Sequence, residues 1–584
     1  MPPDAHPSPA PAAVAEGVPS FDLTTQPWLP VLRHDGVEKE LSLTELFEQA
    51  EEIRRVPGDL PTQEFALVRL LLAVLYDALD GGPAERGAWE ELWTGGPEAF
   101  PVARITGYLA EHRERFDLLH PERPFFQVAD LRTDKEDVFP LDRIVADVPS
   151  NDRFLTMRAH GAQRLSFAEA ARWVVHVHAW DVAGIKSGAV GDPRKKAGKV
   201  YPNGVGSVGM LGGVLVEGLS LRETLLLNLV PRDETALLQH DDRDLPVWRR
   251  PQPPGAAPET DADARPYGPR DLYTWQARRV RLHHDGREAY GVVLAYGDPL
   301  PYRNMHGREP MSGWRRSEQQ EKKLRESPVY LPRTHDPSRT AWRGLASLIT
   351  GYPPEAVQKS GRGADPGISP RVLAWLGDMA VESDALDRNH VVRARLLGCR
   401  YGTQQSVVAD AVDDSLDMSL VLLSPDDPTF RDIAVQAVQL AEKAVWLLGN
   451  LASGLAQAAG ADQETPRAEA RDRGFGDLDD PFRHWLARLG PDTDPEALLE
   501  VWRRTAHDRV RALGLELVEG SGEAAWEGRV LPTAQGGTYW LNSASVENHF
   551  RRQLRVRVLL PEEDDSTDTT GDAPSADRPE EPTP

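Results

Sequence analysis

A chain of 584 residues is too long for one ordinary hydrophobic core, so two or more domains are expected. With 27% charged and 40% apolar residues it has the composition of an ordinary soluble protein, and a net charge of −24 excludes a freestanding basic nucleic-acid binder. A single cysteine, Cys399, excludes a disulfide framework and a cysteine-based zinc cluster and suits a cytoplasmic protein; no apolar run is long enough for a membrane span.

Residues 1–20, rich in Pro and Ala, lack a basic start and an apolar stretch and read as a flexible leader rather than a signal peptide. Residues 21–31 read as extended, and Asp35-Gly36 as a hairpin turn. Ser42-Leu43-Thr44-Glu45 has the form of a capping box, in which serine and glutamate satisfy each other's backbone N–H groups. Residues 63–79 are apolar on nearly all faces, the pattern of a buried helix. Ser166-Phe167-Ala168-Glu169 is a second capping box, opening a helix that runs to about Trp180, and Ser220-Leu221-Arg222-Glu223 is a third. The Pro/Ala/Asp-rich stretch 251–269 reads as a surface loop, and 275–283 with 290–296 flank Asp285-Gly286 as a β-hairpin. Beyond Asp426 strand signals nearly vanish. Helical patterns at 430–455, 481–489, 495–513 and 545–559 fit a bundle, with the polar stretch 458–479 as a connection. The tail 561–584 holds nine acids against one base, Arg578, and is expected to be disordered. That net −8 leaves the folded part less hostile to nucleic acid than the total charge implies.

The local composition departs most from the average just after Trp180. Gly184-Ile185-Lys186-Ser187-Gly188 is followed by Arg194, Lys195, Lys196 and Lys199, and the stretch 186–199 holds one acid, Asp192. Glycine lets a backbone approach a partner closely, and clustered Lys/Arg neutralises phosphate, so this loop is a candidate for touching nucleic acid. Thr403-Gln404-Gln405 reads either as a polar turn or as a reader of base edges, because glutamine both donates and accepts. Gly204-x-Gly206-x-x-Gly209 matches a dinucleotide fingerprint in letters only, since the preceding Lys199-Val200-Tyr201-Pro202-Asn203 reads as a turn where that motif needs a strand. His176 and His178, two apart on a helix, point to different faces and read as packing residues; His283-His284 reads the same way. No nucleophile elbow, HExxH or phosphate-binding lysine loop is present, so no catalytic residue, metal site or cofactor is expected.

Several ordered segments together resemble the CasA family, the large subunit of the type I-E CRISPR surveillance complex Cascade. They are Phe21-Asp22-Leu23 through Gln26-Pro27-Trp28-Leu29-Pro30-Val31, Phe116-Asp117-Leu118-Leu119-His120-Pro121-Glu122-Arg123-Pro124-Phe125-Phe126-Gln127, the segment Ala183-Gly184 to Gly188, Glu217-Gly218 through Asn228, Tyr273-Thr274-Trp275-Gln276, and Tyr401-Gly402-Thr403-Gln404-Gln405-Ser406. The resemblance implies an α+β chain: a leader at 1–20, a large mixed α/β domain at 21–425, a four-helix bundle at 426–560 and an acidic tail at 561–584. It implies a non-catalytic cytoplasmic subunit that checks the protospacer-adjacent motif (PAM) of double-stranded target DNA through the minor groove, helps open the strands for the guide RNA, and recruits a separate helicase-nuclease. Its partners would be the other Cascade subunits, guide RNA and target DNA, with no membrane. By the same resemblance Gly184, Ile185, Lys186, Ser187 and Gly188 look like the glycine loop, and Thr403, Gln404 and Gln405 like the polar minor-groove segment. Phe154, Leu155, Thr156, Met157 and Arg158 look like the loop docking near the guide's 5′ end. The family's mid-chain lysine on the PAM duplex has no counterpart, because no lysine lies between Lys199 and Lys322; either an arginine such as Arg279 or Arg303 replaces it, or the contact is absent. Two other readings stand beside this one: a small-molecule enzyme built on the glycine-rich segment 184–213, and a scaffold subunit without DNA contact.

Overall fold

Ser42 caps its helix as the sequence predicts. Its hydroxyl accepts from Glu45 N at 3.2 Å, the Glu45 carboxylate accepts from Ser42 N at 2.9 Å, and the helix Leu43–Glu48 follows. The computed structural model describes residues 19–146, 161–251, 255–259, 261–262, 264–349, 367–533 and 536–560. The chain divides into two compact units, Met1–Asp432 with Leu486–Thr493, and Ile433–Trp485 with Asp494–Pro584.

The larger unit is α+β. Its centre is the helix Pro61–Ala78, in which every residue from Thr62 to Ala78 is buried, as apolar side chains on nearly all faces require. The three charges it takes inside are paired: the Arg69 guanidinium forks onto Glu309 at 2.7 and 3.1 Å, Glu64 accepts from Arg395 at 2.9 Å, and Asp77 accepts from Arg270 at 2.7 Å. A buried ion is tolerable only with such a partner. Arg395 belongs to Val391–Tyr401, the middle strand of a three-stranded sheet flanked by Val408–Ser419 and Gly213–Glu217. The helix Phe167–Trp180 packs against Pro61–Ala78 through a Thr62–His176 hydrogen bond of 3.0 Å and the Phe65–Trp180 ring pair. The hairpin foreseen around Asp285-Gly286 pairs Arg278–His284 with Ala289–Tyr296. Among the described residues all strand ladders are antiparallel, which leaves no parallel βαβ unit for a dinucleotide.

The smaller unit is built on the helices Pro428–Ala459, Glu464–Leu486, Pro495–Glu519 and Ser543–Leu554. Two expectations need correction here. The polar stretch read as a connection, 458–479, belongs mostly to the second helix. Its sparse apolar residues Ala470, Leu478, Phe482 and Trp485 are all buried, so packing rather than propensity supplies its stability. The actual turn is at Gly460, with φ +77°. Strand also returns, as a hairpin pairing Arg529–Pro532 with Thr538–Leu541. It is held by Arg529, which donates to the carbonyls of Ala458 and Ala459 at 3.1 and 2.7 Å and so caps the long helix.

Candidate nucleic-acid interface

The site is built on the end of the helix Phe167–Trp180, where Asp181 is the C-cap. A helix end leaves carbonyls unsatisfied. Here the glycine run 204–209 answers them: Gly206 N donates to Asp181 O at 2.8 Å, Ser207 N to His178 O at 3.0 Å, and Val208 N and Gly209 N to Ala179 O at 2.8 and 3.1 Å. The Tyr401 hydroxyl donates to Trp180 O at 2.9 Å. A Cβ on Gly206 would sit 2.4 Å from Ala179 C, and one on Gly209 would sit 2.2 Å from the Tyr401 hydroxyl. These glycines serve close packing around a helix end. No helix opens on them, which takes away the feature behind the small-molecule enzyme reading.

The Asp181 carboxylate points inward, 2.7 Å from Lys186 Nζ and in contact with Arg278 Nε. Burial works against its charge, but Lys186 and Arg278 outweigh burial and hold the carboxyl below the usual range. Burial lowers the Lys186 ammonium, with Asp181 opposing. Arg278 also donates to the carbonyls of Asp181, Val182 and Gly204 at 3.1–3.2 Å and lies over the Tyr296 ring. The Tyr296 hydroxyl in turn donates to Gly184 O at 2.8 Å. Gly184 is thus held from beneath by its carbonyl. On its other side a Cβ would meet nothing within 4 Å, and its φ lies outside the left-handed region. Gly184 is therefore not the helix cap, and the fold does not require glycine there. Gly188 differs: a Cβ would lie 2.6 Å from Lys195 Cγ and 2.9 Å from the Gly198 carbonyl carbon.

The second segment meets the first directly. Ala183 N donates to Gln405 O at 2.8 Å. Gln404 and Gln405 both adopt left-handed backbones, φ 55° and 56°, a conformation costing a non-glycine residue about 1–2 kcal/mol. The turn is closed by Gln405 N to Gly402 O at 2.9 Å, and the Gln405 side-chain amide rests 3.1 Å from Met210 Sδ. Thr403 and Gln404 are exposed.

The basic candidates separate sharply. Arg194 forks onto Asp192 at 2.9 and 3.0 Å and donates to the carbonyls of Tyr296 and Gly297. Lys195 pairs with Asp134 at 2.8 Å. Arg279 has no exposed side-chain surface and is held by Asp298 at 3.0 and 3.1 Å. Lys186, Arg194 and Arg279 are thus engaged by protein carboxylates, and Lys195 by an exposed one at the surface. Lys196, Lys199 and Arg303 are exposed, with no ion-pair partner among the described residues. Arg303 sits on the rim of an open cleft of about 590 Å³ together with Gln239, Arg308 and Gln320. The docking-loop candidates Phe154 to Arg158 lie outside the described residues.

His176 and His178 are packing residues. Burial pushes them down to about 4 and about 3. Burial likewise pushes the Cys399 thiol up to about 12. Among the described residues no group of three or more His, Cys, Asp or Glu is placed to hold a metal, and no helix is long and apolar enough to cross a membrane. Sequence reasoning missed Asp181, Arg278 and Tyr296, which brace the glycine loop. Their partners lie about a hundred residues apart, and no local spacing announces them.

This architecture is that of a known class of CRISPR-associated proteins. The model of the family described as CRISPR-associated protein Cse1 matches residues 22–513, and the chain belongs to that family. It is similar to the crystal structure of Thermobifida fusca Cse1, with 55% identity and a TM-score of 0.84 over 92% of this chain and 98% of that one. The Acidimicrobium ferrooxidans Cse1 structure is 29% identical, with a TM-score of 0.76 over 92% and 98%. The CasA/Cse1 protein of Thermus thermophilus is 26% identical over 555 residues, covering 91% of this chain and 97% of that one. A chain of a solved CRISPR RNA-guided surveillance complex shares the fold, with a TM-score of 0.66 at 18% identity. The family resemblance carried by the sequence segments is thereby shown, as is the α+β class.

Proposed function

We propose that this chain is the large, non-catalytic subunit of a type I-E CRISPR RNA-guided surveillance complex, and that it reads the PAM of double-stranded target DNA through the minor groove. The observation that carries this is the hydrogen bond from Ala183 N to Gln405 O, which makes one surface of two segments far apart in sequence. On that surface Gly184 faces open space and Gln404 is exposed on a strained turn. Backbone reaches a narrow groove where a side chain obstructs it, and a side-chain amide can both donate and accept there. The minor groove separates A·T from G·C but hardly A·T from T·A, so a reader of this kind tolerates several PAM sequences. Strand exchange with a guide is near energetic balance, so modest protein contacts tip it. Thr403, Ile185 and Ser187 border the contact, and Arg303, not Arg279, takes the phosphate role of the lysine that this chain lacks. The partners are the other subunits, the guide RNA and the DNA, with a helicase-nuclease recruited in trans, in the cytoplasm.

The test compares binding of the assembled complex to matched duplexes with a permissive or a non-permissive PAM. Gln404→Ala and Gly184→Asp are expected to abolish the difference while guide RNA stays bound. Retained discrimination in both variants contradicts the reading and leaves a scaffold role.

A further inference from the structure

The ribbon behind the glycine loop has two unlike faces. Lys186 pairs with Val200 and Ser187 with Lys199, antiparallel. Side chains alternate across such a ribbon. The inner face is Lys186 and Val200, 8% and 2% exposed. The outer residues are Ile185, Ser187, Lys199 and Tyr201, and continuing the register sets Ile185 opposite Tyr201. Ile185 is 56% exposed and Tyr201 62%. Two large apolar side chains thus stand in solvent side by side, next to Gly184.

Charge decides what covers them. Residues 181–203 contain two acids, and both are neutralised internally: Asp181 by Lys186 and Arg278, Asp192 by Arg194. Exposed Lys196 and Lys199 have no ion-pair partner among the described residues, on a chain of net charge −24. An apolar protein surface needs no such local excess of positive charge, whereas a polyanion does. An aromatic ring next to exposed cations is an arrangement that holds nucleic acid through its backbone and its bases or sugars together. β-Ribbons enter DNA grooves in this way, and apolar side chains beside a minor-groove contact loosen base stacking.

We propose that Tyr201, with Ile185 beside it and the bridged pair Lys196 and Lys199 further along the same ribbon, is a nucleic-acid contact that packs against the target duplex beside the Gly184 loop. It rests on the PAM-reading function proposed above but adds a site of its own. Tyr201 supplies apolar contact that assists unstacking, and the two lysines hold the flanking phosphates.

The experiment places p-benzoylphenylalanine at Tyr201, or separately at Gln404, in the assembled complex with labelled duplex DNA. Photocrosslinking to DNA from position 201 is expected. A crosslink from 404 but not from 201 overturns this proposal and leaves the PAM reading standing; no DNA crosslink from either position overturns both. A crosslink from 201 to another subunit also overturns it. In parallel, Tyr201→Ala is expected to weaken duplex binding roughly ten-fold, and Tyr201→Phe to restore it. Lys199→Ala is expected to reduce the slope of log affinity against log salt by about 0.9. Melting temperatures should match wild type, because these side chains are exposed. Unchanged affinity in Tyr201→Ala overturns the proposal.

Discussion

Ala183 N and Gln405 O, 2.8 Å apart, tie the end of one helix to the turn between two strands of the three-stranded sheet. The turn they lock carries two consecutive left-handed glutamines. Glycine adopts this conformation without the steric cost that a side chain brings. Gln404→Gly is expected to change stability by a net gain of about 0–1 kcal/mol, because relief of the left-handed backbone slightly exceeds glycine's entropy penalty. The same change should remove PAM discrimination. Denaturant unfolding and duplex binding measured on one preparation check both halves; a marked loss of stability would show that the Gln404 side chain serves the fold.

Gly184 and Gly188 bracket the same short loop and should respond oppositely to alanine. At Gly184 the new Cβ meets nothing within 4 Å, so the melting temperature should stay at the wild-type value. At Gly188 it meets the Lys195 side chain and the Gly198 backbone, and overpacking of this kind costs about 1–3 kcal/mol. Gly184→Asp adds bulk and negative charge where phosphate approaches, and should impair DNA binding more than Gly184→Ala with equally normal melting. If Gly184→Ala melted early, the loop would be a structural turn and not an open contact.

The salt dependence of DNA binding should not come from Lys186. Its ammonium lies against Asp181 and is shielded from solvent, so Lys186→Met should leave the slope of log affinity against log salt unchanged, whereas a phosphate-contacting cation would change it by about 0.9. Asp181→Asn is the damaging change, because it leaves Lys186 and Arg278 buried without their anion. Breaking a buried pair in this way costs about 3–5 kcal/mol. A shallower salt slope in Lys186→Met would mean that the lysine swings out to DNA.

Local signals were legible, and long-range ones were not. The caps at Ser42, Ser166 and Ser220, the buried helix and the Asp285-Gly286 hairpin all follow from short spacings, and each is present. Ser220 shows a variation: its hydroxyl accepts from Glu223 N, while the Glu223 carboxylate accepts from Leu219 N instead of closing the box. The helix Glu464–Leu486 leaves no local signal because its mean hydropathy is low and its stability comes from neighbours remote in sequence. The basic run 194–199 looked uniform in sequence, yet folding divides it. Asp192 and Asp134 take Arg194 and Lys195, whereas Lys196 and Lys199 have no ion-pair partner among the described residues, a distinction set by partners that the spacing does not show.

His178 gives the clearest dependence on pH. Its Nε2 lies 2.9 Å from Phe126 O and its Nδ1 accepts from Arg278 N at 3.3 Å, so both nitrogens are committed in the neutral form with the proton on Nε2. Burial, with Arg279 and Arg278 adding to it, holds the imidazole down to about 3 from a usual 6.5. The folded state thus binds fewer protons than the unfolded state between those values, and stability falls as pH falls through that window, by about 1.4 kcal/mol per pH unit. Asp244 and Asp378, pushed up to about 6 chiefly by burial, act with the opposite sign below that pH, because the folded state takes their protons first. His176, pushed down to about 4 by burial, acts with the same sign as His178, so the His178 contribution is read by difference. Relative to His178→Gln, wild type should lose about 2 kcal/mol between pH 6.5 and 5, measured by chemical denaturation at both values. Parallel pH profiles for the two proteins would show that His178 titrates normally and is not enclosed as described.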